Sequence, residues 1–259
     1  MKPVEPFDVT KPNIARVYDY LLGGKDNFAA DREAAAQLLE SHPLAAELAR
    51  ENRTFLTRAV RYVAGQGIGQ FVDVGCGLPT SPNTHELARE KQPAARVAYV
   101  DNDPMVISHT RNLLAKDGGI TVIGADLRDS EPLLANPELT AVIDTDQPVC
   151  VLLVSVLHFV DLETARAVTA ALTAPLASGS YLVISVGRTD PEFEAERGRA
   201  VYTPSAGYNH SVDEVSSLFG DFEFIPPGVV EARSWRPGEP PLPHPARPLM
   251  MLAGVARKP

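Results

Sequence analysis

Gly75 and Gly77 stand at the end of Gln70-Phe71-Val72-Asp73-Val74, an apolar strand pattern that runs straight into Gly-x-Gly. Glycine in both places suits a chain that must turn sharply and let a ligand approach its backbone with no Cβ in the way. Asp101 closes a second strand pattern, Val97-Ala98-Tyr99-Val100, and lies 24 positions past Gly77. An acidic side chain there can accept both hydroxyl protons of a ribose. Asp126 and Leu127 follow a third run, Ile120-Thr121-Val122-Ile123. A carboxylate at that point can accept from an adenine amino group, the next backbone N–H can donate to the ring, and a leucine offers the base an apolar surface. Three strand ends thus converge on one nucleoside, with Cys76 inside the turn and Asn102 beside the ribose position.

Two kinds of nucleoside ligand share these features. A dinucleotide fingerprint would continue as Gly-x-Gly-x-x-Gly, but position 80 is Thr80. The segment Leu78-Pro79-Thr80-Ser81-Pro82 also delays the helix whose N-terminus a pyrophosphate prefers. Asp73, two residues before the first glycine, sets a negative charge beside the turn, which disfavours a phosphate and suits the ammonium of a methionine-like group. The balance favours S-adenosylmethionine over NAD.

The elements needed to position these residues are legible in the periodicity. Ile14, Val17, Tyr18, Leu21 and Leu22 make a helical stripe ending at Gly23-Gly24. A second helix is expected over Asp31 to Glu40, and a third runs from Leu44 through Val63 to a stop at Gly65 and Gly67. From about Gln70 to Asp190 short apolar runs alternate with amphipathic ones, the pattern of βαβ units and a parallel sheet. Val149 to Val156 is a fourth strand, continuously apolar because both its faces are covered, and Tyr181 to Val186 is a fifth. Asp103 with Pro104, and Asp161 before Leu162 to Leu176, begin helices; Ser211-Val212-Asp213-Glu214 is a capping box. Glu223 to Ile225 and Leu249 to Val255 suit an antiparallel edge pair. Between them lies Arg236 to Pro248, a loop, since six of its thirteen residues are proline. The expected division is a helical cap over residues 1–66 and a ligand-binding α/β domain over 67–259.

Bulk properties narrow the function. A formal charge of -9 over 259 residues disfavours nucleic acid as a partner, and no long Lys/Arg run offsets it. No apolar stretch approaches the ~18 to 20 residues of a membrane span, and the N-terminus lacks a signal-peptide layout, so a cytoplasmic location is expected. Cys76 and Cys150 are too far apart for a CxxC motif and read as free thiols. His85, His109 and His210 show no ligand spacing, so no metal is expected.

The combination of acidic-x-Gly-x-Gly at Asp73 to Gly77 with the strand-end carboxylates resembles the class I S-adenosylmethionine-dependent methyltransferases. More narrowly, the run Asn13 to Phe28, joined to Asp73-Val74-Gly75-Cys76-Gly77-Leu78-Pro79-Thr80, resembles an actinomycete family of predicted methyltransferases whose acceptors are largely unassigned. The resemblance spans nearly the whole chain. It implies a Rossmann-like sheet of seven mostly parallel strands with a reversed last strand, helices on both faces, and S-adenosylmethionine as cofactor. Pro79 departs from the wider group, many of whose members have a third glycine there.

Methyl transfer is an in-line displacement that mainly requires an acceptor held at ~3 to 3.5 Å and on axis. His158, after the fourth strand in Ser155-Val156-Leu157-His158-Phe159, is the expected general base, with Ser155 at the edge of the cofactor site. The same strand end lacks the Asn/Asp-Pro-Pro-aromatic sequence of many base-amino methyltransferases, so a small-molecule acceptor is favoured. The helical cap is expected to act as a lid, with Tyr18, Gly23, Gly24, Lys25 and Asn27 facing the ligand beside a mobile Gly-Gly hinge. Arg53, next to Asn52, has the fork geometry to reach the methionine carboxylate. Two alternatives stay open: a cofactor-binding sensor or scaffold that transfers nothing, and an NAD-dependent dehydrogenase. Oligomeric state is not legible.

Overall fold

The computed structural model describes residues 8–114, 118–188, 208, 210–236 and 251–259. Five buried apolar runs form parallel strands β1 (Gln70–Val74), β2 (Arg96–Asp101), β3 (Ile120–Gly124), β4 (Cys150–Val154) and β5 (Tyr181–Gly187). Their order in the sheet is β3-β2-β1-β4-β5, so the chain works outward from β1 and then returns to start again at β4. Between β1 and β4 the direction of winding reverses, which opens a crevice at the carboxyl ends of those two strands. β8 (Met251–Arg257) lies antiparallel to β5 along seven residue pairs.

Among the described residues the sheet has eight strands where the family resemblance implies seven, and the edge explains the difference. Beyond β8 lie two short pieces, β6 (Glu223–Phe224) and β7 (Val230–Glu231), both antiparallel to it. Pro226 and Pro227 fall between them, and proline has no N–H to give to a ladder, so one edge lane is cut in two. β4 is also shorter than its apolar run, because Ser155 turns out of extended geometry at φ +60°.

Helices cover both faces. On one side lie α3 (Ala45–Gly65), α4 (Thr84–Arg89) and α5 (Pro104–Leu114), with Phe55, Val60, Leu87 and Ile107 in a core shared with Trp235. On the other lie α6 (Ser130–Leu134), α7 (Pro137–Thr140), α8 (Leu162–Thr173) and α9 (Val212–Ser217), contributing Leu133, Leu139, Leu172 and Val215. The expected caps form: Asp103 accepts from the N–H groups of Met105 and Val106, Asp161 from Thr164, and Ser211 with Glu214 closes a capping box. The proline-rich segment 237–248 and Leu249 lie outside the described residues.

α1 (Ile14–Leu21) and α2 (Ala29–Ser41) make a small layer of their own, in which Val17, Leu21 and Ala35 pack on Ala49 at the start of α3. Arg16 and Asp31 form a buried ion pair at 2.8 Å inside it. Asp31 also accepts from the N–H groups of Asn13 and Phe28, so its carboxylate is satisfied as a buried charge must be. The rest of α3 packs on the sheet and carries this layer to the strand ends. There Asn13 donates to Asp103, and His109 of α5 stands 3.4 Å from Asp26.

Candidate functional site

The turn after β1 is built as its glycines require. The N–H groups of Gly75 and Cys76 both donate to the carbonyl of Val100, folding the chain back across β2. Gly75 sits at φ +72° and Gly77 at φ +64°, the left-handed region that costs an L-residue. Their surroundings differ. A Cβ on Gly75 would fall 2.5 Å from Val156 Cγ2, whereas one on Gly77 would meet nothing within 4 Å. Gly75 lets two strand ends approach each other, and Gly77 leaves open space on the side of the crevice.

Asp101 reaches that turn directly. The N–H of Gly77 donates to one of its carboxylate oxygens at 2.9 Å and the N–H of Asp103 to the other at 3.0 Å. Burial, reinforced by the negative charge of Asp103, raises its carboxyl above the ordinary range against those two bonds. Each oxygen keeps a further lone pair free for a pair of hydroxyls. Asn102 instead donates to Asp126, whose carboxylate is gripped on both oxygens by Arg128, holding it well below the usual range. Asp126 therefore faces its own guanidinium partner, not open space. Leu127 is half-buried against the core beside it.

Asp73 lies under the turn. Strand alternation puts it on the α3–α4 face, where Thr84 donates to it at 2.6 Å and burial pushes its carboxyl upward. Thr84 carries no motif in the sequence and was not anticipated. Arg53 reaches the same place from α3, and its terminal nitrogen donates to the carbonyls of Thr80 and Pro82, bracing the loop that replaces a third glycine. Its Nε is buried without a hydrogen-bond partner among the described residues. Arg53, Asp73, Cys76, Gly77, Thr84 and Tyr99 line a narrow crevice. Asp101 and Asp126 do not line it, so the expected site residues divide between this crevice and the adjoining shelf at the strand ends. Burial raises the Cys76 thiol well above its usual value, leaving it protonated and inert at neutral pH.

At the end of β4, the left-handed Ser155 donates its N–H to both the carbonyl and the hydroxyl of Ser185. His158 follows, and His210 sits close by, continuing the lane of β4 by donating its N–H to the carbonyl of Gly187. Nδ1 of His158 and Nε2 of His210 are both buried without a partner among the described residues. Burial, and then the neighbouring His210, lower His158 to about 4, so it is neutral at pH 7. The unfolded chain binds a proton at this histidine below its ordinary value of 6.5 and the folded chain does not until about 4. This contribution to stability is therefore intact above pH 6.5 and lost as pH falls towards 4. Replacing His158 with Phe should flatten the acid limb of a Tm-versus-pH curve between those limits; an unchanged slope refutes the assignment.

The residues expected to face the ligand from α1 and the turn after it bond within their own layer and to α3. The Tyr18 hydroxyl donates to the carbonyl of Ala49 and accepts from Asn52, so it joins α1 to α3 and does not face the crevice. Asn27 donates to Asp19 and to the carbonyl of Gly24, and Asp19 also accepts from the N–H of Asp26. The Gly23-Gly24 turn expected as a mobile hinge is thus braced from within: Gly23 takes φ +83°, and a Cβ on Gly24 would overlap the Asp19 carboxylate at 1.9 Å. Lys25 is exposed on this turn.

A doubly covered parallel sheet with an antiparallel edge, a glycine turn at the reversal point and a carboxylate closing β2 defines a Rossmann-like nucleoside-binding enzyme fold. The chain belongs to the S-adenosyl methyltransferase family, whose profile matches residues 2–259. It is 42% identical to a provisionally assigned methyltransferase of Thermobifida fusca YX, with a TM-score of 0.89 over 100% of this chain and 99% of that one. It is 35% identical to a DUF574 family protein of Streptomyces avermitilis MA-4680, with a TM-score of 0.87 over 97% and 99%. The N-methyltransferase NodS of Bradyrhizobium japonicum, solved with S-adenosyl-L-homocysteine, shares the fold at 15% identity and a TM-score of 0.54, covering 94% of this chain and 99% of its own. No curated protein matches in a like comparison. The protein is a methyltransferase that uses S-adenosylmethionine, which removes the dehydrogenase alternative. Among the described residues no helix is long and apolar enough to cross a membrane.

Proposed function

We propose that the protein transfers a methyl group in line to a small molecule, with the nucleoside held at the ends of β1, β2 and β3 and the acceptor beyond β4. The observation that carries this is Asp101: its carboxylate is anchored by two backbone N–H groups while keeping lone pairs free beside the open side of Gly77. Those residues fit a ribose, and the Arg53 Nε left unpartnered beside Asp73 fits an amino-acid head group. S-adenosylmethionine supplies a methyl carbon already activated by its sulfonium.

The chain's part is to grip and orient. Asp101 and Asn102 hold the ribose; Gly75, Cys76 and Gly77 shape the turn; Arg53 and Asp73 take the methionine end; and Ser155 closes the far wall. Asp126 and Leu127 take the adenine once Arg128, whose side chain is 63% exposed, gives way; so open an ion pair holds its partner weakly. His158 is the general base. It is a weak one, but an acceptor atom becomes strongly acidic as the new bond forms, so a neutral imidazole suffices to take the proton. Residues 1–66 form the cap that excludes water and 67–259 the cofactor-binding domain. The charge of -9 favours a small acceptor over a nucleic acid, and the free thiols of Cys76 and Cys150 suit a reducing, cytoplasmic setting.

The test is thermal. S-adenosylhomocysteine at about a hundred times its Kd should stabilise the fold by about 2.7 kcal/mol and raise Tm by roughly 5 to 10 °C. NAD should leave Tm unmoved. Stabilisation by NAD and none by S-adenosylhomocysteine would overturn the assignment.

A further inference from the structure

Ser185 is the one serine in β5, and it is 0% exposed. It accepts the N–H of Ser155 at 3.0 Å and donates its own proton to Asn52 Oδ1 at 2.5 Å. Asn52, 3% exposed, donates in turn to the Tyr18 hydroxyl at 2.9 Å, and Tyr18 donates to the carbonyl of Ala49 at 3.1 Å. Each proton in this chain has an acceptor, which makes its direction unique: from the end of β4, through β5 and α3, to the cap helix α1. In a core of this kind an interrupted link leaves a buried polar group without a partner.

The far end of the chain holds a strained residue. Serine does not settle at φ +60° unless its surroundings over-determine it, and both bonds made by its N–H go to Ser185, one to the carbonyl and one to the hydroxyl that the chain fixes. The next residue, Val156, is the wall that a Cβ on Gly75 would strike. A shift at Ser155 therefore reaches the glycine turn. We infer that Tyr18, Asn52 and Ser185 are positioning residues that hold Ser155 in its left-handed conformation and so couple the seating of the N-terminal cap to occupancy of the cofactor crevice. The inference rests on the cofactor assignment above, and it differs from the expectation that Tyr18 touches the ligand. Coupling of this kind is reciprocal: what the cap does for the ligand, the ligand must do for the cap.

The experiment uses the full chain: calorimetric titration with S-adenosylhomocysteine of the wild type, Tyr18→Phe, Ser185→Ala and the double variant, with hydrogen exchange followed at the α1 amides. Each single change should weaken binding roughly tenfold, the loss expected of one buried hydrogen bond, and the double variant should bind no worse than the weaker single. S-adenosylhomocysteine should slow exchange in α1 of the wild type and fail to do so in Ser185→Ala. A purely structural role would lower Tm in each variant, leave the Kd of the folded protein alone and give additive effects. Tyr18→Phe keeps the ring and its packing, so the test survives if Ser185→Ala folds poorly. Wild-type affinity in Tyr18→Phe, or an α1 whose exchange ignores the ligand, overturns the relay alone. A wild type that takes no S-adenosylhomocysteine overturns the cofactor assignment and the relay with it.

Discussion

Replacing Asp101 with Ala should leave the protein folded and weaken S-adenosylhomocysteine binding at least a hundredfold. The side chain's two oxygens each have one backbone donor, from Gly77 and Asp103, and the ribose hydroxyls would be the remaining partners. Two hydrogen bonds to a charged acceptor contribute roughly 3 to 6 kcal/mol together, which sets the expected loss. Stability should change little, because the variant also removes a buried carboxylate that burial and Asp103 already disfavour. The same upward shift predicts a pH dependence. Asp101 takes its proton at a higher pH than an ordinary aspartate, so affinity in the wild type should begin to fall before the usual carboxylate range is reached. Asp101→Asn, which keeps an acceptor oxygen but carries no charge, should bind weakly without that acid limb. Equal titration curves for the wild type and Asp101→Ala would place the nucleoside elsewhere.

The parts of this arrangement that follow from local physics were legible in the sequence. β1 to β5 announced themselves because a strand covered on both faces is mostly apolar along its length, and the turn because Gly-x-Gly directly after such a strand has few other uses. Helix starts at Asp103, Asp161 and Ser211 were readable because a capping bond spans only two or three residues. What failed was long-range. Tyr18 sits on an apolar stripe whose direction depends on Asn52, 34 positions away, and Asn52 depends on Ser185, 133 positions away. Nothing in the spacing of α1 could say that its tyrosine points at α3 or that Asp19 reinforces the Gly-Gly turn. One short-range contact escaped as well: Arg128 takes Asp126 because a guanidinium two residues on can fold back, a choice that strand pattern does not encode. Ser185 offered one faint signal, a lone serine in an apolar run, and Thr84 offered none.

The two turn glycines should part company under the same substitution. Gly75→Ala combines a left-handed φ of +72° with a Cβ 2.5 Å from Val156 Cγ2 and 2.9 Å from Val156 Cβ, and Val156 is only 8% exposed. The conformational cost of about 1 to 2 kcal/mol adds to overpacking of about 1 to 3 kcal/mol, a Tm fall of roughly 5 to 15 °C. Val156→Ala in that background should restore part of the loss, since it removes the nearer of the clashing atoms. Gly77→Ala carries the first cost alone, because its φ is +64° but nothing lies within 4 Å of its Cβ. Its Tm should fall by only a few degrees, yet its methyl enters the space through which a nucleoside reaches the backbone, so binding of S-adenosylhomocysteine should be lost from a protein that is still folded. One substitution thus separates a glycine required by the fold from a glycine required by the ligand. A Gly77→Ala protein that binds as the wild type does would show that the open side of the turn faces only solvent.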